Sequence, residues 1–132
     1  MQISAKTSDE FEEQFTKFLK QEKCINITSI VYFWRVESEI PRLIGKSNIL
    51  YIGKASKNLQ ERYLKSASFK IEKQYFENVY KHAIEEYGPI TIEIIKTDNP
   101  AKSEYEALNE YYKTHCEHPP LNRSIPTLSK TA

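Results

Sequence analysis

Three side chains that could handle a phosphate lie close together in the segment NILYIGKASKNLQERY, which runs from Asn48 to Tyr63. Tyr51 carries a phenol, and a phenol can transfer a proton when a nearby positive charge such as that of Lys54 stabilises its phenolate form. Arg62 carries a permanently charged guanidinium group whose planar fork matches phosphate oxygens. The alternative is a strand, turn and helix whose charged side chains are ordinary surface residues.

The positive charge of the chain is concentrated around this segment. The net charge is only +1, but residues 42–73 contain eight Lys and Arg residues against two acidic ones, and both flanking regions are net negative. Such a block is typical of a phosphate-binding surface, although a solvated, lysine-rich helix face gives the same pattern. The candidates in it for nucleic-acid contacts are Lys46, Lys57, Lys65 and Lys70.

A carboxylate at an apolar helix face is a further candidate. A helix is predicted from Ala101 to about Cys116, and with about 100° between successive residues its buried face comprises Ala101, Tyr105, Leu108 and Tyr112, flanked by Tyr111 and His115. Glu106 and Glu110 point away from that face, whereas Glu104 lies beside it. A carboxylate in this position is costly unless it is paired or binds a cation. An ion pair, exposure near the helix start and a metal site therefore all remain open for Glu104.

The elements that would position these residues form an α+β domain. Strands are predicted at residues 29–36, 49–53 and 90–96, and together they make a small, three-stranded, mostly antiparallel sheet flanked by helices. The polar connection 37–47 is predicted to be a long loop that turns near Pro41–Arg42. With that turn, Tyr32 and Tyr51 fall almost opposite each other on paired strands.

The other helices are marked by their ends. Thr7 and Glu10 form a capping box for an extra N-terminal helix, which is predicted to run to about Lys23 and to bury Phe11, Phe15, Phe18 and Leu19. Asn58 is placed to cap the helix that carries Arg62. Residues 69–83 favour a further helix, which ends at Gly88.

Composition excludes several classes of protein. A chain of 132 residues fits one domain, and no apolar run approaches the roughly 18–20 residues that span a bilayer. The N-terminus has no secretory apolar segment, so a cytoplasmic location is expected. Cys24 and Cys116 are too few for a disulfide scaffold and are predicted to be free thiols.

Taken together, the motifs resemble the GIY-YIG endonuclease superfamily. The resemblance covers roughly residues 29–123, leaving 1–28 as an N-terminal helical extension and 124–132 as a tail of a single domain. The motifs that carry it are Val31-Tyr32, then Tyr51-Ile52-Gly53-Lys54, Leu59-x-x-Arg62, Glu104 and Pro119-Pro120-Leu121-Asn122. The leading glycine of the first motif is absent, and Ser66 stands where the family often has His or Tyr. Tyr63 or His82 could substitute for that residue.

The resemblance implies hydrolysis of DNA phosphodiester bonds with the help of a divalent metal. Glu104 would bind Mg²⁺ or Mn²⁺, and Arg62 would grip the scissile phosphate. Tyr51 would be the general base, assisted by Lys54, while Tyr32 would orient the attacking water or contact the phosphate. Asn122 would hold the C-terminal segment or contact phosphate. A homodimer or a partner protein could supply specificity.

Other interpretations of these residues stay open. Tyr32 and Tyr51 could be strand aromatics that simply pack together. His115, Cys116 and His118, with Cys24, suggest zinc, but their spacing matches no usual pair of zinc ligands. At the level of the whole protein, the alternatives are a nucleic-acid-binding module that has lost catalysis and a protein-interaction domain on the same fold.

Overall fold

A computed structural model describes residues 2–64 and 78–122. It contains the predicted α+β architecture, with a three-stranded antiparallel sheet in the order β2-β1-β3 and helices on its two faces. The strands are β1 (Ile30–Pro41), β2 (Lys46–Ala55) and β3 (Thr91–Lys96). The first strand is central because it pairs with both of the others.

The β1–β2 hairpin is longer and tighter than the sequence predicted. Both strands extend through most of the expected 37–47 loop, and the chain reverses between Pro41 and Lys46, where Gly45 has a φ of +70°. The predicted pairing of the two tyrosines is wrong, because Tyr32 pairs with Gly53 and Tyr51 pairs with Trp34. The turn lies about two residues later than expected, and β1 carries register irregularities after Trp34. The tyrosines are therefore diagonal neighbours, with ring centroids 6.1 Å apart.

The N-terminal helix is shorter than predicted but buries the expected face. Helix α1 (Ser8–Leu19) is capped by Thr7, whose hydroxyl accepts a hydrogen bond from the Glu10 N–H. A separate short helix, α2 (Glu22–Asn26), follows it. The side chains predicted to be buried are all in the main core cluster: Phe11, Phe15, Phe18 and Leu19.

Two helices are described between β2 and β3, on either side of the undescribed residues 65–77. Helix α3 (Leu59–Leu64) begins after Asn58, whose side chain accepts a hydrogen bond from the Glu61 N–H, as the capping prediction required. Residues 78–87 form the described part of α4, which stops at Gly88 with a φ of +98°. The start of the helix predicted from residue 69 lies outside the described residues.

The last helix, α5 (Pro100–His115), has a different buried face from the predicted one. Glu104, Leu108, Tyr111 and His115 are buried, whereas Ala101 and Tyr112 are exposed. The helix lies mainly against β2, and this contact rotates its inward face by about one residue. Glu104 therefore lies on the packed face instead of at its edge.

The sheet separates a large core from a small one. Its first face carries Tyr32 and Trp34 and packs against α1, α3 and α4 in one aromatic-rich cluster. Its second face is covered by α5, where Val31, Ile52 and Leu108 form a smaller cluster. Among the described residues, none of the helices is long and apolar enough to cross a bilayer.

Candidate active site at the outer edge of β2

The side chains singled out in the sequence converge near the C-terminal end of β2, which is an edge strand. Tyr51 projects from β2 on the aromatic face, where it packs against Tyr32 and Trp34. Lys54 pairs with Val31 and therefore lies on the opposite face, where it meets Glu104. The candidate site thus includes groups from both faces of the sheet.

Arg62 connects these two sets of groups. The guanidinium group on α3 acts electrostatically on Tyr32 on the aromatic face and on Glu104 on the α5 face, and in each case it offsets part of the rise in pKa that burial causes. A shallow cleft of about 280 Å³ opens beside Arg62, and Lys57 and Asn58 help to line it. Arg62 is therefore placed where an anion could reach it from solvent.

Glu104 is a carboxylate whose charge is poorly compensated by the described residues. It is 9% exposed, and its closest described ion-pair contact is with the Lys54 ammonium group at 4.0 Å, the limit for such a pair. Burial raises the pKa of the Glu104 carboxyl, and the positive charges of Lys54 and Arg62 offset part of that rise. The ion-pair alternative is thus realised in the structure, but only with a long contact.

Tyr32 lies deeper than its predicted role requires. It is 0% exposed, and its hydroxyl accepts a hydrogen bond of 3.0 Å from the Tyr63 hydroxyl. Burial raises the pKa of Tyr32 well above its ordinary value. A phenol in this environment is a poor proton acceptor, so the half-buried Tyr51 is the better placed of the two predicted tyrosines to act as a base.

Gly53 makes room for the buried tyrosine. A Cβ atom built on Gly53 would lie only 2.5 Å from the Tyr32 hydroxyl oxygen. The ring of Tyr32 therefore lies directly against the backbone of its cross-strand partner, a position that only glycine allows. This observation gives a physical reason for a glycine two residues after Tyr51.

Asn122 holds the C-terminal segment against the outer edge of β2. Its side-chain oxygen accepts a hydrogen bond from the Ile52 N–H, and its side-chain nitrogen donates to the Ile52 carbonyl, both at 2.9 Å. The adjacent Leu121 N–H donates to the Leu50 carbonyl. Of the two roles predicted for Asn122, this geometry corresponds to holding the segment in place.

The predicted nucleic-acid-binding lysines do not form one group. Lys57 lines the cleft beside Arg62. Lys46 is exposed at the other end of β2, which at about 3.3 Å per residue places it roughly 25 Å from Lys54. Lys65 and Lys70 lie outside the described residues, as does Ser66.

Both cysteines are free thiols, as predicted, and the structure does not support the zinc alternative. Cys24 is buried, and its thiol contacts the Phe18 carbonyl at 3.3 Å. His115 uses its Nδ1 atom in a contact of 2.8 Å with the Ile44 carbonyl. Across residues 2–64 and 78–122, His, Cys, Asp and Glu side chains form no cluster of three or more that could hold a metal ion.

A single-carboxylate magnesium site needs no such cluster. Mg²⁺ usually keeps several water ligands and is bound by one or two protein carboxylates together with substrate phosphates. Glu104 fits that requirement, because it is a largely buried carboxylate whose ion-pair contact among the described residues, with Lys54, is 4.0 Å long. The ammonium group of Lys54 would have to share the carboxylate with the metal or swing aside, and its side chain is 43% exposed.

Tyr63 has a larger structural role than its sequence position indicated. The sequence suggests Tyr63 only as a possible substitute for the residue at position 66, whereas in the structure its hydroxyl donates a hydrogen bond to Tyr32 inside the core. The spacing of Tyr63 on α3 indicates burial but not which side chain it meets. That contact depends on how α3 packs on the sheet.

Comparison of the chain with protein-family models, with curated proteins and with solved structures finds no match in any of the three. The motifs and the geometry of the site are therefore the grounds on which a function can be proposed for this chain.

Proposed function

We propose that this protein is an endonuclease that hydrolyses DNA phosphodiester bonds with a divalent metal, Mg²⁺ or Mn²⁺, in the manner of the GIY-YIG nucleases that its motifs resemble. The observation that carries the proposal is the environment of Glu104. A buried carboxylate with a raised pKa lies within the electrostatic influence of Lys54 and Arg62, and Arg62 itself lines a cleft open to solvent. Carboxylates whose pKa is shifted by burial and by specific charged partners are typical of functional sites.

Each side chain then has a definite part in the reaction. Arg62 binds the scissile phosphate and stabilises the charge that builds on its oxygens in the transition state. Tyr51 accepts a proton from the attacking water. The help predicted from Lys54 does not fit the geometry, because Lys54 lies on the opposite face of β2 from Tyr51 and contacts Glu104. The roles of Asn122 and Gly53 are positional, since one holds the edge of β2 and the other accommodates Tyr32.

Glu104 would hold the metal ion. When bound, a divalent cation neutralises developing charge on the phosphate and helps the leaving oxygen to depart. DNA is the proposed substrate, and Lys57 beside the cleft is placed for contact with the DNA backbone.

The complete burial of Tyr32 favours one second candidate. If this phenol has to reach water or phosphate for catalysis, a structure in which it is 0% exposed describes a nucleic-acid-binding module that has lost activity. Such a module would still bind DNA through Arg62 and Lys57, and its affinity would fall as salt rises.

Nicking of supercoiled plasmid DNA separates the two candidates. We expect the protein to convert supercoiled plasmid to open circles with Mg²⁺ or Mn²⁺ and not with EDTA. Glu104→Ala and Arg62→Ala should each reduce the rate by about 100-fold or more. Glu106→Ala is the matched control, because Glu106 is an exposed carboxylate on the same helix.

The decisive result is the behaviour of the unaltered protein. If it binds DNA in a salt-dependent way but nicks no plasmid with either metal, the binding module is correct and the nuclease proposal is wrong. If Glu104→Ala nicks as fast as Glu106→Ala, the activity does not belong to this site. Circular dichroism of each variant shows whether it is folded.

A further inference from the structure

The buried hydroxyl pair of Tyr32 and Tyr63 is the feature that the proposed mechanism leaves unused. The two oxygens are 3.0 Å apart, and Tyr63 is the donor. Both side chains are almost completely inaccessible, at 0% and 4% exposure, so water does not compete for this bond. A hydrogen bond in such surroundings fixes orientation more strongly than one at the surface.

The bond links Tyr63 to the candidate site through Tyr32. The Tyr32 ring packs beside that of Tyr51, with ring centroids 6.1 Å apart. Tyr51, Arg62 and Glu104 also act electrostatically on Tyr32, so the buried phenol lies close to these three site residues. A phenol that Tyr63 holds in place therefore lies directly beside the proposed base.

We propose that Tyr63 is a positioning residue of this site, an inference that rests on the proposed function. Its hydroxyl fixes the buried Tyr32 phenol, and the Tyr32 ring in turn supports the Tyr51 ring that packs beside it. Tyr32 thereby acts from the interior, as a support behind the proposed base, and does not need to touch water or phosphate.

The packing around Tyr63 suits a residue that positions others. Its ring meets Phe15 edge-on at 4.9 Å and Trp34 at 6.1 Å, so the core holds it from two sides. The Arg62 guanidinium carbon lies 5.6 Å from the centre of the same ring, within reach of a cation–π interaction. Tyr63 therefore touches both the arginine that binds phosphate and the phenol behind the base.

The test is a set of three variants compared for rate and for binding. Tyr63→Phe and Tyr32→Phe each remove one hydroxyl and keep the ring, and the third variant combines them. We expect Tyr63→Phe to lower kcat for plasmid nicking by about 10-fold to 100-fold, the usual range for a residue that orients a ligand. KM and DNA affinity should stay within about twofold, because neither hydroxyl contacts the substrate. Tyr111→Phe is the matched control, since Tyr111 is a buried phenol on the packed face of α5.

The most informative comparison is between the nicking rates of the double variant and of Tyr32→Phe. If Tyr63 acts through Tyr32, the double variant should nick no more slowly than Tyr32→Phe alone. If the two losses multiply, or if Tyr63→Phe nicks at the rate of Tyr111→Phe, the inference is overturned while the proposed nuclease function stands. If the unaltered protein does not nick at all, the proposed function fails and this inference fails with it.

Proton NMR distinguishes the loss of this hydrogen bond from misfolding of a variant. A hydroxyl proton shielded from water in a hydrogen bond gives a slowly exchanging proton resonance, and we expect one that is lost in both Tyr63→Phe and Tyr32→Phe but kept in Tyr111→Phe. If Tyr63→Phe proves unstable, Tyr32→Phe breaks the same bond from the other side. A folded protein with no such resonance overturns the inference.

Discussion

A buried charged side chain lies at each end of the β1–β2 hairpin, and the two differ in how closely their ion-pair partners approach. At the turn, the Arg42 guanidinium group lies 2.9 Å from the Glu117 carboxylate and donates to the His118 carbonyl at 2.8 Å. The same carboxylate accepts a hydrogen bond from the Leu43 N–H. At the other end, Glu104 meets Lys54 only at 4.0 Å, although its side chain is as well buried as that of Arg42.

The difference separates a structural ion pair from a candidate binding group. A buried charge with short contacts regains most of the solvation free energy that it loses on folding, whereas one with a long contact does not. The raised pKa of the Glu104 carboxyl shows that burial outweighs the attraction of Lys54 and Arg62. A carboxylate in such surroundings is a candidate functional group.

The largest change in stability is expected from Gly53→Ala at the candidate site. The added methyl group would lie 2.5 Å from the Tyr32 hydroxyl oxygen, and the closely packed core leaves the ring little room to move. We expect the free energy of unfolding to fall by about 3 kcal/mol, together with a loss of nicking. Chemical denaturation measures the first effect and the plasmid assay the second.

Gly45→Ala is the control for that variant at the turn end. A Cβ atom at Gly45 would have its nearest neighbour at 3.6 Å, so the cost is the backbone strain of a φ of +70°, about 1–2 kcal/mol. Nicking should be unaffected. Equal destabilisation by the two substitutions would show that Tyr32 is not held against β2.

Glu117→Ala tests the ion pair at the turn and should have an intermediate effect. It leaves the Arg42 side chain, which is 13% exposed, without its carboxylate partner. Because Glu117 itself is 38% exposed, water can replace part of the interaction, and we expect a loss of about 1–2 kcal/mol with an unchanged nicking rate. Lys102→Ala, at a fully surface pair, should change stability by less than about 0.5 kcal/mol. If Glu117→Ala lowers the free energy of unfolding no more than Lys102→Ala does, the Arg42–Glu117 pair is not a structural ion pair. The two ends of the hairpin would then not differ in the way described above.

Glu104→Gln should have the smallest effect on stability, and the effect should be a gain. Burial makes the ionised carboxylate unfavourable in the folded state, so at pH 7 the variant is expected to melt at a higher temperature than the unaltered protein in EDTA. Because the folded pKa is raised, the difference should shrink as pH falls through that pKa and vanish below the ordinary value of 4.5. Thermal melts from pH 3 to 8 measure it, with Glu106→Gln as the control. Destabilisation at pH 7 would mean that the contact with Lys54 is a structural ion pair.

Local signals in the sequence identified the main elements of this protein, although not where the two hairpin strands and the N-terminal helix end. The capping residues Thr7 and Asn58 and the helix stop at Gly88 act on the backbone within four residues, so their effects could be predicted without knowing the fold. Runs of β-branched and aromatic residues likewise identified the strands. The candidate site residues were chosen by type and order alone, and the fold brings Tyr51, Lys54, Arg62 and Glu104 to one end of β2.

Tertiary structure alone decided the register of the hairpin and the rotation of α5. The pairing of Tyr32 with Gly53 depends on where the chain turns, and the position of Glu104 on the packed face depends on how α5 lies against β2. The burial of Tyr32 and its bond to Tyr63 also arise only when α3 packs on the sheet. The pairs Tyr32–Gly53, Tyr32–Tyr63 and Glu104–Lys54 are 21, 31 and 50 positions apart, and contacts over such separations are set by the packing of the whole core, which no local pattern encodes.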